Sequence, residues 1–146
     1  MRAVSFLEEQ LPKNCEATSY DIDDVIITLK AIGNAGLMHS KAKELVKCSQ
    51  GANFLNISVV AIETIRSMPF CPDTWNALGS EVFGDYGNDP EVRLQAYLAL
   101  MKYPDEKTIR YVAQVLDGEV NTQVGAFVSS HLKQMNDSVE PTYGKR

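Results

Sequence analysis

Apolar residues recur along this chain at helical spacing, in stretches that close on proline or glycine. Two of them superimpose. Residues 56–69 read NISVVAIETIRSMP and residues 91–104 read EVRLQAYLALMKYP. Ile57 aligns with Val92, Ala61 with Ala96, Ile65 with Leu100 and Pro69 with Pro104, each pair 35 positions apart. Two further alignments extend the pattern. Ile62 and Ile65 match Leu29 and Ile32 at an offset of 33, while Val92, Ala96 and Leu100 correspond to Val124, Val128 and Leu132 at an offset of 32. A period of roughly 30–45 residues marks helical hairpins that bury apolar surface by stacking on their neighbours. The spacing therefore predicts an all-α chain, an α-solenoid (a HEAT-like right-handed superhelix) of about four antiparallel helix pairs.

The individual helices follow from the same reading. The first lies within Met1–Leu11, with Val4, Leu7 and Leu11 in phase and Pro12 beyond. A second starts at Asp21 as cap, carries Ile22, Val25 or Ile26, Leu29 and Ile32, and is ended by Gly33 and Gly36. Ser40 opens a third helix, with Ala42, Leu45 and Val46, closing at Gln50-Gly51. The fourth runs from Ile57 to Ser67, capped by Asn56. It is rich in β-branched residues, yet Ile57, Ala61, Ile65 and Met68 keep helical phase. Asp73 caps a short fifth helix with Trp75, Leu78, Val82 and Phe83.

Asp89-Pro90-Glu91 is a strong start signal for the sixth, which Pro104 halts after Tyr103. Asp105 caps the seventh, with Ile109, Val112 and Leu116 facing inward, and Asn121 or Thr122 opens the eighth, with Val124, Val128 and Leu132. Residues 1–135 thus form one solenoid unit, and 136–146, with Pro141 and Gly144, read as a polar tail or linker.

Composition narrows the functional classes. The 146 residues are 45% hydrophobic and 23% charged, which suits a folded domain rather than a disordered one. A net charge of −5 supplies no basic field for a phosphate backbone, so nucleic acid is not an expected partner. No apolar run approaches the ~18–20 residues of a transmembrane helix. Glu8 and Glu9 interrupt the apolar start before a signal-peptide core could form. Two origins fit that start: an intracellular protein, or an excerpt from a longer secreted chain.

Candidate chemistry is sparse. Cys15, Cys48 and Cys71 form no CxxC pair. Three buried thiols are one reading and a single disulfide is the other. If helices alternate, Cys15 and Cys48 share one end of the stack and Cys71 lies at the other. A helix of ~12 residues puts those ends ~18 Å apart, beyond disulfide reach, so a single bridge would join Cys15 to Cys48. His39 and His131 have no HExxH or Cys/His company, and no Gly-x-Ser-x-Gly elbow is present. His131 reads as a packing or hydrogen-bonding residue and His39 as an exposed one.

The remaining motifs have bland readings too. Gly33-Asn34-Ala35-Gly36 follows a helix and lacks a Gly-Lys-Ser/Thr ending, so it reads as helix termination rather than a phosphate loop. Asp21, Asp23 and Asp24 lack the spacing of a calcium loop and read as N-terminal helix charges. The expectation is therefore no enzyme, no metal and no cofactor. Asn136-Asp137-Ser138 and Asn56-Ile57-Ser58 fit the N-glycosylation pattern, with Asn136 the better placed. Phe54, Phe70, Trp75, Phe83 and Tyr86 gather in the middle pairs. Core packing explains most of them, and the functional alternative is an apolar concave face touching sheets or lipid.

Four segments, in order, carry a family resemblance. They are Thr28 to Gly36 (TLKAIGNAG), Glu91 to Met101 (EVRLQAYLALM), Val115 to Val124 (VLDGEVNTQV) and Phe127 to Leu132 (FVSSHL). The first resembles the LKALGNAG signature in the helical domain of the large lipid transfer proteins, which include vitellogenin, apolipophorin, apolipoprotein B and the microsomal triglyceride transfer protein. The last two segments are more similar to the first three of those members. Lys47-Cys48-Ser49-Gln50 is similar to a lysine–cysteine step in some of them. The resemblance spans about Asp21 to Leu132. Family members carry a β-barrel before this region and large β-sheets after it, and these 146 residues show neither pattern.

The resemblance implies the last helix pairs of a horseshoe that braces lipid-holding sheets. The expected function is thus a non-catalytic scaffold segment of a secreted, glycosylated lipid-transport lipoprotein. Its partners would be lipid through the intact parent, other domains of that parent, and other copies through weak self-association at exposed solenoid ends. The alternative is an intracellular HEAT-like adaptor that binds a protein on its concave face.

Overall fold

The computed structural model describes residues 9–35, 42–51 and 53–144. Helices dominate, and no strand occurs among the described residues. After a 3-10 turn at Lys13–Cys15 come α1 (Ile22–Ala35), α2 (Ala42–Gly51), α3 (Leu55–Arg66), α4 (Pro72–Ala77) with a π-helical continuation (Leu78–Phe83), α5 (Pro90–Leu100), α6 (Glu106–Asp117) and α7 (Thr122–Gly144). The predicted first helix falls mainly on residues 1–8, outside the described residues, as do Ser40 and His39.

Capping explains most of the helix starts. Asp89 accepts from the Glu91 amide with Pro90 at the first helical position, Asp105 accepts from the Thr108 amide, and Asn121 accepts from the Val124 amide. Three starts differ from expectation. The Asp21 carboxylate turns back onto the Thr18 amide and hydroxyl, while the Thr18 hydroxyl accepts the Asp21 amide. Thr18 is therefore the cap and Asp21 the reciprocal third residue of a capping box. Phe54, not Asn56, precedes α3, and Asn56 lies exposed in its first turn. Cys71, not Asp73, precedes α4, because Pro72 takes the first helical position.

Helix ends and faces also depart from the sequence reading. Gly33 does not stop α1, which continues to Ala35. A Cβ there would lie 3.4 Å from the Thr64 Cα, so Gly33 sits in the α1–α3 contact with room for a methyl and no more. The fifth predicted helix changes to π geometry, with the Gly84 amide bonded to the Gly79 carbonyl at 2.8 Å. The sixth ends at Leu100, three residues before Tyr103. On α6 the buried positions are Val112 and Val115, while Ile109 is 42% exposed. The last helix passes through Asn136 and Pro141 to Gly144, where a tail was expected.

Packing couples the odd-numbered helices in series. α1 lies on α3, α3 on α5, and α5 on α7, while α2 touches both α3 and α4. α3 and α5 occupy the middle, which is why they are apolar on most sides. Ile57, Ala61, Ile62 and Ile65 are wholly buried on α3, as are Ala96, Tyr97 and Ala99 on α5. Burial of this kind, worth about 1.5–3 kcal/mol per large aliphatic side chain, overrides the weak helix propensity of β-branched residues.

Candidate functional site

Five of the side-chain hydrogen bonds that reach between helices span similar sequence distances. The Thr64 hydroxyl of α3 shares its proton between the Val60 carbonyl (2.9 Å) and the Leu29 carbonyl of α1 (3.0 Å). At the end of α5, the Lys102 ammonium bonds the Arg66 carbonyl closing α3. Tyr97 of α5 meets His131 Nδ1 of α7 at 2.7 Å, with the rings edge to face. In the other layer, the Gln50 amide donates to the Glu81 carbonyl and the Tyr111 hydroxyl to the Gly79 carbonyl. These partners stand 31 to 36 residues apart. Burial pushes the Tyr97 phenol up to about 12, as expected for a hydroxyl whose ionised form would lose water.

One charged pair anchors the centre. Arg93, on the buried side of α5, donates through Nε to the Phe83 carbonyl (2.9 Å) and through both terminal nitrogens to the Glu119 carboxylate. Their side chains are 1% and 3% exposed. The guanidinium lies 5.1 Å from the Tyr86 ring centroid and 5.7 Å from that of Phe83. Glu119 also accepts the Asn121 amide. The Arg93 hydrogen bonds hold its carboxyl below the usual carboxylate range, against the opposing effect of burial. The network joins the end of the π segment, α5 and the α6–α7 loop. Chemically it is a clamp: two charges that neutralise each other and fix a backbone junction. The exposed Arg110–Glu106 pair contributes little by comparison.

The clamp was not singled out by sequence reasoning. Its signal was an arginine between Val92 and Leu94 in an otherwise apolar run, and both partners lie inside family-like segments. Tyr86 completes the junction by donating to the Val115 carbonyl, a fit that needs glycine at 118, since a Cβ there would come within 2.6 Å of its hydroxyl.

The residues predicted as sites are dispersed. Cys15 and Cys48 are disulfide-bonded and buried, with Cα atoms 5.1 Å apart, joining the 3-10 turn to α2. Cys15 holds a φ of 55° in the left-handed region. Cys71 is unbonded and half-buried, and the Thr74 amide and hydroxyl beside it hold its thiol below the ordinary range. Asn56 and Asn136 are exposed on different helices. His131 is half-buried between Tyr97 and Phe127. Of the aromatics, Trp75 and Phe83 are buried, while Phe70 and Tyr86 are about half exposed. Among the described residues, no three His, Cys, Asp or Glu side chains are placed to hold a metal ion, and no helix is long and apolar enough to cross a membrane.

Comparison with known proteins completes the picture. The family described as the vitellogenin TPR domain matches residues 2–133. The chain belongs to that family. Apolipophorins of Locusta migratoria are 33% identical over 119 residues, covering 80% of this chain and 4% of the relative. Apolipoprotein B-100 of Homo sapiens is 32% identical over 142 residues, covering 93% and 3%. Vitellogenin-1 of Gallus gallus is 28% identical over 129 residues, covering 83% and 7%. The chain thus spans only a few per cent of the length of these relatives. No solved structure matches it.

Proposed function

We propose that the chain is a non-catalytic strut: an α-solenoid segment over residues 1–135, with α7 running on to Gly144, of a larger lipid-transport protein. In this reading the stacked hairpins form a HEAT-like right-handed superhelix. Its curvature sets the spacing of lipid-binding β-sheets contributed by other parts of the parent. The observation that carries the proposal is the series α1–α3–α5–α7, tied by hydrogen bonds spanning 34 to 36 residues, close to the 32-to-35-residue offsets of the apolar repeat. A family whose relatives include apolipophorins and apolipoprotein B supports the lipid assignment.

The Cys15–Cys48 bridge favours a parent made in an oxidising compartment, hence a secreted one, over an intracellular adaptor. Asn136, exposed on α7, is the preferred glycan acceptor, with Asn56 second. Exposed Val120 and Phe127 near the last helix agree with weak self-association at that end, which sedimentation velocity at rising concentration would register. The principal test compares amide exchange in this chain alone with exchange in the lipid-loaded parent. The strut reading expects added protection in one helical layer, either α1, α3, α5 and α7 or α2, α4 and α6. Equal exchange in both layers would refute it.

A further inference from the structure

A cleft of about 540 Å³ opens between α4 with its π continuation and α6, within the range of small-molecule sites. Its wall is Phe70, Trp75, Gly79, Leu100 and Tyr111. Phe70 packs edge to face on Trp75 at 5.4 Å and remains 46% exposed. Trp75 is held in place by its indole N–H donating to the Ala99 carbonyl at 3.0 Å. The π turn shapes one side, because a Cβ on Gly79 would meet the Tyr111 ring at 3.3 Å. π turns are rare and are frequently found at functional sites.

The mouth is polar and carries one cation. Lys107 lines it, exposed, and no hydrogen bond or ion pair to another described residue engages its ammonium. The neighbouring Asp105 carboxylate is committed to the Thr108 amide at the α6 N-terminus, which offsets its charge. An apolar wall with an exposed ammonium at the rim, which feels the Asp105 charge but makes no hydrogen bond among the described residues, is complementary to an amphiphile with an anionic head. A peptide fits less well, since its amides would find side-chain partners only at Asn76, Ser80 and Thr108 and none along Phe70, Trp75 and Leu100.

We propose that this cleft binds a single long-chain fatty acid, with its acyl chain along Phe70, Trp75 and Leu100 and its carboxylate at Lys107. The proposal rests on the lipid-transport reading above and adds a ligand site within the helical segment itself. Trp75 is the chain's one tryptophan, so it reports occupancy directly. Titration of this chain with 9,10-dibromostearic acid, below its aggregation concentration, should quench Trp75 fluorescence saturably at one acid per chain.

Lys107→Gln, or use of the methyl ester, should weaken binding about fivefold, the effect of one partly exposed ion pair. Ser80→Phe, which fills the cleft from an exposed rim position, should abolish saturable quenching with unchanged circular dichroism. Lys133→Gln, exposed on α7, should change nothing. Absence of saturable quenching, or quenching that survives Ser80→Phe, overturns the proposal. So does equal binding of acid and ester. Any of those results leaves the strut reading intact, because amide exchange in the parent is read without a ligand in this cleft.

Discussion

Glu119→Ala offers the sharpest test of how the helices are held together. The substitution leaves the Arg93 guanidinium with the Phe83 carbonyl and two aromatic rings, but with no counter-charge in a site where its side chain is 1% exposed. Removing one partner of a buried ion pair costs about 3–5 kcal/mol, mostly the penalty of the stranded charge. Against a domain stability of about 5–15 kcal/mol this is a large fraction. The double variant Arg93→Met with Glu119→Leu removes both charges and keeps the volume, so it should stay within about 1 kcal/mol of the parent sequence. Urea unfolding followed by circular dichroism at 222 nm gives both values, read from the midpoint at constant slope.

The pH dependence supplies a second arm of that experiment. Arg93 holds the Glu119 carboxyl below its ordinary 4.5. A depressed carboxylate contributes fully above the unfolded value and loses that contribution as pH falls through the folded one. The gap between wild type and Glu119→Ala should therefore be full at pH 7 and narrow below about pH 4. A gap under about 0.5 kcal/mol at pH 7, the size of an ordinary surface substitution, would refute the clamp. A double variant less stable than Glu119→Ala would do the same.

Other substitutions probe the remaining contacts. Gly33→Ala places a methyl at ordinary contact with Thr64 and should be neutral or stabilise by up to about 1 kcal/mol in thermal unfolding, whereas Gly33→Leu should cost more than about 2 kcal/mol by driving α1 from α3. Gly84→Ala brings a methyl to within 2.2 Å of the Tyr111 hydroxyl and should destabilise clearly, with Tyr111→Phe partly rescuing it in a double-variant cycle. Tyr97→Phe loses the His131 hydrogen bond, a cost of about 1 kcal/mol at pH 7 by urea titration. The raised Tyr97 phenol also means that wild type loses alkaline stability from about pH 10 upward to about 12, and that loss should be smaller in Tyr97→Phe. Cys15→Ser with Cys48→Ser opens a bridge spanning 33 residues, worth about 3–4 kcal/mol, and should lower the melting temperature by about 10 °C.

Much of the helix plan was legible in the chain because its signals are local. Asp89-Pro90, Asp105 and Asn121 each satisfy amides two or three residues away, so neighbours in sequence suffice to place those starts. The errors came where a local signal had two solutions. Asp21 could accept from the turn ahead of it or from the helix behind it, and Thr18 settled that choice. Gly33 has the chemistry of a helix stop, yet the approach of Thr64 makes it an interior residue. Ile109 has the phase of a core position but sits on α6 at the edge of the stack, where no helix covers it fully.

The amino-acid sequence by itself determined that this protein is helical, that its apolar pattern recurs at about 35 residues, and that Ile57, Ala61 and Ile65 on α3 and Val92, Ala96 and Leu100 on α5 are buried. Periodicity and capping act within one or two turns and need no knowledge of what lies opposite. The tertiary structure alone decided that Arg93 and Glu119 meet, that Tyr111 forces glycine at 84, and that Phe70, Trp75 and Lys107 border one cleft. Those relations join residues 26 to 37 positions apart, whose distance depends on how the helices cross. Side-chain pattern specifies which face a helix buries, but only packing against its neighbour fixes what that face touches.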